Sequence, residues 1–195
     1  MVGLRSQFGE AATQNIIESH PTKATELRIA YEEWWNDIIE DASIDNLISV
    51  GHPSENPTFL TAHDWHATDD SPWNQTIIRN AKICNGYWLL NVETSGKYTI
   101  KLYRYPPSTN YSYNQDIAPG DKVDGGTLYP MGKGINLISS KIRVNESEYI
   151  SQEAVDDTYF EYKINLNSGR TRFQSWMTQK NGISLGSYYV TLERT

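Results

Sequence analysis

The fold is decided by the segment WLLNVETSGKYTIKLYRY, residues 88–105. In its second half Tyr98, Ile100 and Leu102 alternate with more polar residues, which is the period of a strand with one buried face. A Thr-Ser-Gly sequence in the middle is typical of a turn. The segment therefore predicts a β-hairpin with strands at Trp88–Glu93 and Lys97–Tyr105.

Further short strands are indicated on both sides of this hairpin. They are Leu47–Gly51, Phe59–Trp65, Ile135–Val144, Tyr159–Leu166, Thr171–Thr178 and Tyr188–Leu192. Asn167-Ser168-Gly169 predicts that the fourth and fifth of these form a second hairpin. Short strands at regular spacing are typical of antiparallel sandwiches. We therefore expect a mainly β fold, a jelly-roll-like antiparallel β-sandwich.

One amphipathic helix precedes the strands. Pro21 suits the first helical position, and the helix should end near Glu40. Its apolar face contains Leu27, Tyr31, Trp34 and Ile38 at helical spacing. We therefore divide the chain into residues 1–45, a lead-in with the helix, and residues 46–195, the sandwich. The apolar face packs on the chain's own sheet in the simpler interpretation; in the other it docks on another protein or on a second copy, as a homodimer.

Composition limits the partners of the chain. It has 195 residues, a formal net charge of −7 and one cysteine, Cys84. The negative charge argues against nucleic-acid and anionic-membrane partners, and the Arg170-Thr171-Arg172 run is too short to change that. An anionic ligand therefore requires a local basic pocket. No apolar run has membrane-spanning length and residues 1–5 do not resemble a signal peptide, so localisation is not fixed.

Aromatic and polar groups suited to a sugar concentrate in the segment before the first hairpin. Indole rings can stack on the apolar faces of pyranoses, while amide and guanidinium groups reach hydroxyl or sulfate groups. Trp65, Trp73 and Trp88 are the candidate platform; the alternative is that these rings fill the core. The candidate ligand-binding residues are His63, Asp64, Trp65, His66, Trp73, Asn74, Gln75 and Arg104.

Three other groups have simpler interpretations. His63, Asp64 and His66 are metal-ligand types, but in a strand the two imidazoles point to opposite faces, so no metal site is predicted. The tyrosines near the Pro-rich segment after residue 105 form either a binding lip or, as we favour, the cover of a sheet edge. Trp176 is expected in the core. No nucleophile and base pair is identified, so catalysis by this chain is not expected.

Several rare-residue clusters are similar, in order, to a known family. They are LRIAYEEWW at 27–35, LTAHDWH at 60–66, PWNQ at 72–75, NGYW at 85–88 and GSYYVTLER at 186–194. Together they resemble the C-terminal helix and following extension of bacterial arylsulfatases, in the sulfatase family of the alkaline-phosphatase-like superfamily. The family's aspartate-proline pair before the helix is replaced here by Gln7-Phe8.

The resemblance implies a sulfatase C-terminal region without its catalytic domain. Cys84 is followed by Asn85-Gly86-Tyr87, so it does not match the family's formylglycine motif. Calcium and formylglycine would belong to the absent domain, and no cofactor is expected in this chain. The implied function is a non-catalytic accessory domain that supports a sulfatase catalytic domain and helps shape a carbohydrate or sulfate-ester substrate. Its parent family is usually exported. The alternative is a free-standing carbohydrate-binding β-sandwich module.

Overall fold

A computed structural model describes residues 15–41, 44–67, 71–120, 128–152, 154–155 and 157–195. Contacts divide the chain into two compact units, Met1–Asn46 and Leu47–Thr195, and each is described by itself. Residues 1–14, which include part of the predicted lead-in and Gln7-Phe8, lie outside the described residues.

The first unit contains the helix α1, Pro21–Ile38, with proline in its first turn. No residue of α1 is buried, and Trp34 is 54% exposed. The rings of Tyr31, Trp34 and Trp35 contact one another, with centroids 5.8–6.3 Å apart. The predicted amphipathic helix is thus present. The partner of its aromatic face, the chain's own sheet or another protein, stays a prediction.

The second unit is a β-sandwich, as the alternation predicts. Its strands are β1 (Ile48–Val50), β2 (Thr58–Thr61), β3 (Tyr87–Val92), β4 (Gly96–Tyr103), β5 (Leu137–Val144), β6 (Ser147–Ser151), β7 (Ala154–Val155), β8 (Tyr159–Leu166), β9 (Gly169–Gln179), β10 (Ser184–Leu185) and β11 (Tyr189–Arg194). Sheet A has the order β1-β3-β9-β5-β6, with β10 on β9, and sheet B has the order β2-β11-β4-β8-β7. The pairs are antiparallel except β1 with β3. A five-residue helix α2, Gln75–Arg79, lies between β2 and β3.

Both predicted hairpins are wrong in their pairing, although their strands lie close to the predicted positions. β3 belongs to sheet A and β4 to sheet B, while β8 belongs to sheet B and β9 to sheet A. Each short connection therefore carries the chain across the sandwich. The Ser168 amide donates to Ser95 Oγ at 2.7 Å, so the two crossings contact each other. A strand with one apolar face buries that face whether the next strand along the chain pairs with it in the same sheet or lies across the core in the other sheet. In this protein the next strand lies in the other sheet.

The core lies between the inner faces of the two sheets. Trp88 and Leu90 of β3 and Tyr98 and Ile100 of β4 are fully buried. Tyr98 Oη donates to Thr94 O at 2.7 Å, and a Cβ at Gly51 would lie 1.9 Å from this hydroxyl oxygen. Gly51 also has φ +79°, so both space and backbone conformation require glycine there.

Trp176 does not lie in the core, contrary to the prediction. The residues of β9 alternate, so that Phe173, Ser175 and Met177 are buried while Trp176 is half-buried on the outer face of sheet A. Phe173 lies three positions before Trp176 and therefore on the opposite, inner face of the strand.

Candidate functional site

The structure separates the predicted site residues into three places. His63, Asp64, Trp73, Asn74 and Gln75 lie near the end of β2, at the edge of sheet B. Trp65 and Arg104 are buried in the interior. His66 lies next to β3 of sheet A, where it bridges to Tyr87.

The first group, which we call the edge cluster, is positioned by two short turns. A 3-10 turn, Ala62–Asp64, follows β2, and Thr61 Oγ1 donates to Asp64 Oδ2 at 3.0 Å. Asn74 caps α2 by accepting from the Ile77 amide at 3.2 Å. These hydrogen bonds give Asp64 and Asn74 local structural roles.

Trp73 is the exposed ring of the edge cluster. It is 76% exposed, and its ring centroid lies 6.3 Å from that of His63. The Gln75 amide donates to Tyr189 Oη at 2.7 Å, which links the cluster to the outer face of sheet B. The depression between these groups has a volume of about 70 Å³. Since pockets for small ligands typically exceed about 300 Å³, a ligand here would lie on the surface.

Beyond the edge cluster, four rings form a row across the outer face of sheet B. Tyr189 pairs with Tyr103, and Tyr103 pairs with Tyr159, on the adjacent strands β11, β4 and β8. Phe59 of β2 stacks on Tyr189 with centroids 5.7 Å apart and planes at 6°. The Tyr103 and Tyr159 centroids are 5.3 Å apart. We call Phe59, Tyr103, Tyr159 and Tyr189 the aromatic row.

The rings of the aromatic row differ in exposure. Phe59 is 44% exposed, Tyr103 and Tyr159 are half-buried, and Tyr189 is 8% exposed beside Phe59. Burial raises the pKa of Tyr103 and of Tyr189, although the Gln75 hydrogen bond acts in the opposite direction on Tyr189. The Tyr103 and Tyr189 hydroxyls therefore keep their protons at neutral pH.

Trp65 is a core residue, which corrects its assignment to a sugar platform. Its ring contacts Trp88 edge-on, with centroids 5.6 Å apart, and lies 6.2 Å from Tyr188. A Cβ added at Gly86 or Gly186 would lie 2.5 Å or 2.6 Å from Trp65 atoms. Trp88 is also fully buried. Of the three platform tryptophans, only Trp73 is exposed.

Arg104 is also structural, because its side chain is 0% exposed. Nη1 donates to Tyr113 O at 3.2 Å, and Nη2 donates to Ile78 O at 3.3 Å and to Arg79 O at 2.9 Å. The guanidinium carbon lies 4.6 Å from the ring centroid of Tyr105. Burial lowers the pKa of Arg104. A surface sulfate or sugar does not reach this guanidinium, so the sequence interpretation is corrected.

His66 stacks on Tyr87, with centroids 5.3 Å apart and planes at 16°. It therefore contacts a different ring from His63. Among the residues that the structure describes, no three His, Cys, Asp or Glu side chains come together as ligands of a metal ion. No helix in the described ranges is long and apolar enough to cross a membrane.

The tyrosines after β4 have mixed roles. Tyr105 and Tyr113 are buried, and Tyr113 stacks on Phe160 with centroids 5.8 Å apart. Tyr111 is exposed and contacts Tyr105 edge-on. Beside it lies an open groove of about 420 Å³, lined by the segment 110–120 and Arg79. The tyrosines thus fill the interior as well as the rim, which the sequence did not separate.

Sequence reasoning missed the aromatic row. Its members come from four strands that are distant in sequence and adjacent only in sheet B. The one local signal was the alternation in β4, in which half-buried Lys101 and Tyr103 alternate with buried Ile100 and Leu102. That signal places Tyr103 on an outer face but does not identify its neighbours.

No protein-family model matches the sequence, and no curated protein matches it significantly. Similar solved structures include a ruminal GH26 endo-β-1,4-mannanase, with 14% identity over 71% of this chain and a TM-score of 0.38. Another is the GH26-CBM35 β-(1,4)-mannanase of Podospora anserina, with 12% identity over 72% of this chain and a TM-score of 0.36. The chain spans 26% and 28% of the lengths of these two structures.

A third similar structure is the CBM35 from Cellvibrio japonicus Abf62, with 13% identity. The match covers 69% of this chain and 92% of that one, with a TM-score of 0.34. Family 35 is a family of carbohydrate binding modules. At these TM-scores the neighbours do not assign a ligand to this chain. The resemblance to arylsulfatases is not tested by them and stays a prediction.

Proposed function

We propose that the sandwich unit, Leu47–Thr195, is a carbohydrate-binding module that holds a sugar chain on the outer face of sheet B. The observation that carries this proposal is the aromatic row, which crosses the four adjacent strands β2, β11, β4 and β8. With Trp73 at its edge, the row offers aromatic surface to successive sugar rings.

The polar groups around the row suit the same ligand. Lys101 Nζ lies 4.8 Å from the Tyr159 ring centroid, and Glu161 lies within 4.0 Å of Lys101 and 3.1 Å of Lys163. These groups can donate to and accept from hydroxyls at the rim, as the Tyr103 hydroxyl can. The two lysines share one carboxylate, so no cluster of like charges adjoins the row, which suits a neutral sugar.

The open shape also bears on the ligand. The depression at the edge cluster is only about 70 Å³, so it cannot enclose a sugar. A ligand on an open face gains little from any single subsite, and several rings in a row favour a polymer over a monosaccharide.

The test is affinity electrophoresis and calorimetry with soluble neutral polysaccharides such as mannan, xylan and mixed-linkage glucan. Trp73→Ala and Phe59→Ala should each weaken binding about two- to tenfold, because an aromatic contact contributes ~0.5–1.5 kcal/mol. Tyr111→Ala is the matched control, since it removes an exposed ring at the groove beyond β4. Thermal melts establish that each variant is folded.

Two results would contradict the proposal. One is the absence of binding to every polysaccharide in the panel. The other is equal affinity of wild type, Trp73→Ala and Phe59→Ala combined with loss of binding in Tyr111→Ala, which would move the site to the groove.

A second candidate function is the accessory domain that the arylsulfatase resemblance implies. It is favoured by the exposed rings Tyr31, Trp34 and Trp35 of α1, which form an apolar surface suited to a partner protein. It predicts that a sulfatase catalytic domain supplied in trans retains the chain in a pull-down, and that Trp34→Asp abolishes retention. Retention that is unchanged by Trp34→Asp, or no retention, counts against this candidate.

A further inference from the structure

The outer face of sheet A bears a second surface, with a different chemistry from the aromatic row. At its centre is Gln174 of β9, which pairs with Tyr87 of β3 on one side and Arg143 of β5 on the other. Arg172 and Trp176 lie two positions before and after Gln174, on the same face of β9. Lys141 pairs with Trp176. We call Tyr87, Lys141, Arg143, Arg172, Gln174 and Trp176 the basic face.

The cations of the basic face are held against its rings. The guanidinium carbon of Arg172 lies 3.7 Å from the Tyr87 ring centroid. Lys141 Nζ lies 4.4 Å, and the guanidinium carbon of Arg143 5.3 Å, from a ring centroid of Trp176. Such contacts fix the long side chains while their donors remain accessible, so less conformational entropy is lost when a ligand binds.

The local charge opposes that of the whole chain. Within the described ranges one carboxylate, Glu148, contacts this surface; it accepts from Lys141 Nζ at 3.2 Å and from Arg143 Nε at 2.8 Å. These hydrogen bonds, the one from Arg143 foremost, lower the pKa of Glu148. Among the described residues Arg172 forms no ion pair. Over the residues that the structure describes, three cations with one carboxylate leave a positive excess at this surface, on a chain of net charge −7.

We propose that the basic face binds an anionic glycan, with its carboxylate or sulfate groups on Arg172 and Arg143, which the rings of Tyr87 and Trp176 hold in place. A guanidinium fork matches the paired oxygens of both anionic groups. Neighbouring side chains lie about 5 Å apart across strands and about 7 Å apart along one, so the surface fits two or three sugar rings. Nucleic acid is less suitable, because its binding depends on neutralising many phosphates, whereas this surface offers three cations.

Calorimetry on the full chain tests this with polygalacturonate, a sulfated galactan and a neutral glucan at low and moderate salt. Binding to at least one acidic polymer is expected, with weaker affinity at higher salt; the two acidic arms separate carboxylate from sulfate recognition. Arg172→Gln should weaken binding at least fivefold. Glu148→Gln should strengthen it two- to fivefold, because it removes the competing acceptor of Arg143 and Lys141.

Two control variants separate binding at the basic face from a general charge effect and from binding at the aromatic row. Lys163→Gln removes one positive charge from the outer face of sheet B and should change the affinity less than twofold. Trp73→Ala should leave acidic-polymer binding unchanged while it weakens neutral-polymer binding, so failure here is distinguishable from failure of the proposed function. Thermal melts establish folding of each variant.

Three outcomes overturn the inference. One is no binding to either acidic polymer. Another is an equal loss in Arg172→Gln and Lys163→Gln, or no gain in Glu148→Gln, which indicates a general charge effect. The last is tighter binding to single-stranded DNA of matched charge, with the same dependence on Arg172, which assigns the surface to nucleic acid.

Discussion

A methyl group at Gly186 is expected to destabilise the sandwich, because the Trp65 ring occupies the space that the methyl group needs. The added Cβ would lie 2.6 Å from Cη2 and 2.8 Å from Cζ2 of Trp65, and 3.0 Å from Asn85 Oδ1. The first two atoms belong to the six-membered ring of the indole. A Cβ added at Gly86 would lie against the other end of the same side chain, 2.5 Å from Cβ and 2.7 Å from Cγ of Trp65.

The geometry fixes the magnitude and its dependence on Trp65. Overpacking of a dense core costs about 1–3 kcal/mol, so Gly186→Ala should lower Tm by roughly 3–9 °C. Trp65→Phe removes Cη2 and Cζ2 and leaves a cavity, at a cost of about 1–3 kcal/mol. In the double variant the methyl group enters this cavity, so the two costs should fall short of their sum by about 1–2 kcal/mol.

Gly86→Ala supplies the matched control, because phenylalanine retains the Cβ and Cγ that it would meet. Its cost should therefore add to that of Trp65→Phe. Urea unfolding of the single and double variants measures both cycles. Additivity within about 0.5 kcal/mol in the Gly186 cycle would falsify the wedged position of Trp65 and return this ring to the candidate ligand surface.

Two further predictions concern the buried polar groups of the sandwich. Arg104→Ala should cost about 3–5 kcal/mol in unfolding free energy, and Arg104→Met about 2 kcal/mol less, because methionine fills most of the volume of the side chain. In both variants the carbonyl acceptors Tyr113 O, Ile78 O and Arg79 O keep backbone donors. Urea midpoints check this, and equal losses contradict it. Stability should also fall above about pH 10, where tyrosines of the unfolded chain ionise while buried ones keep their protons, since burial raises their pKa. Below that pH this contribution is fully present; urea midpoints between pH 8 and 11 measure it, and a constant midpoint would contradict it. The tyrosines concerned are Tyr98, Tyr103, Tyr105, Tyr113, Tyr162, Tyr188 and Tyr189.

Strand positions could be predicted from the sequence, whereas strand pairing could not. Alternation is a local property, so β4 was located at Lys97–Tyr105 and observed at Gly96–Tyr103. A turn of three residues between two alternating segments has the same local pattern whether the chain folds back in one sheet or crosses to the other. The choice depends on the strands that flank β3 and β4, which are β1 and β9 for the former and β11 and β8 for the latter.

The candidate site shows the same limit for individual side chains. Trp65 and Trp73 are eight residues apart with similar polar neighbours, yet one is 7% and the other 76% exposed. The local sequence does not distinguish the two rings, because Trp65 packs against Gly86 and Gly186, which belong to other segments of the chain. Arg104 was assigned to a ligand for its chemistry, but the same guanidinium fork serves equally to join backbone carbonyls in the interior.

The two connections that cross the sandwich contradict the hairpin prediction, and they also explain how one alternating sequence pattern produces two different surfaces. Since β3 and β9 pair in sheet A while β4 and β8 pair in sheet B, the outward residues of β9 and those of β8 end on opposite sides of the core. Had β8 and β9 formed one hairpin, Tyr159 and Arg172 would belong to a single sheet, and neutral and basic side chains would be mixed on one face. The separation therefore predicts independent binding of neutral and acidic sugars, and competition between them would count against it.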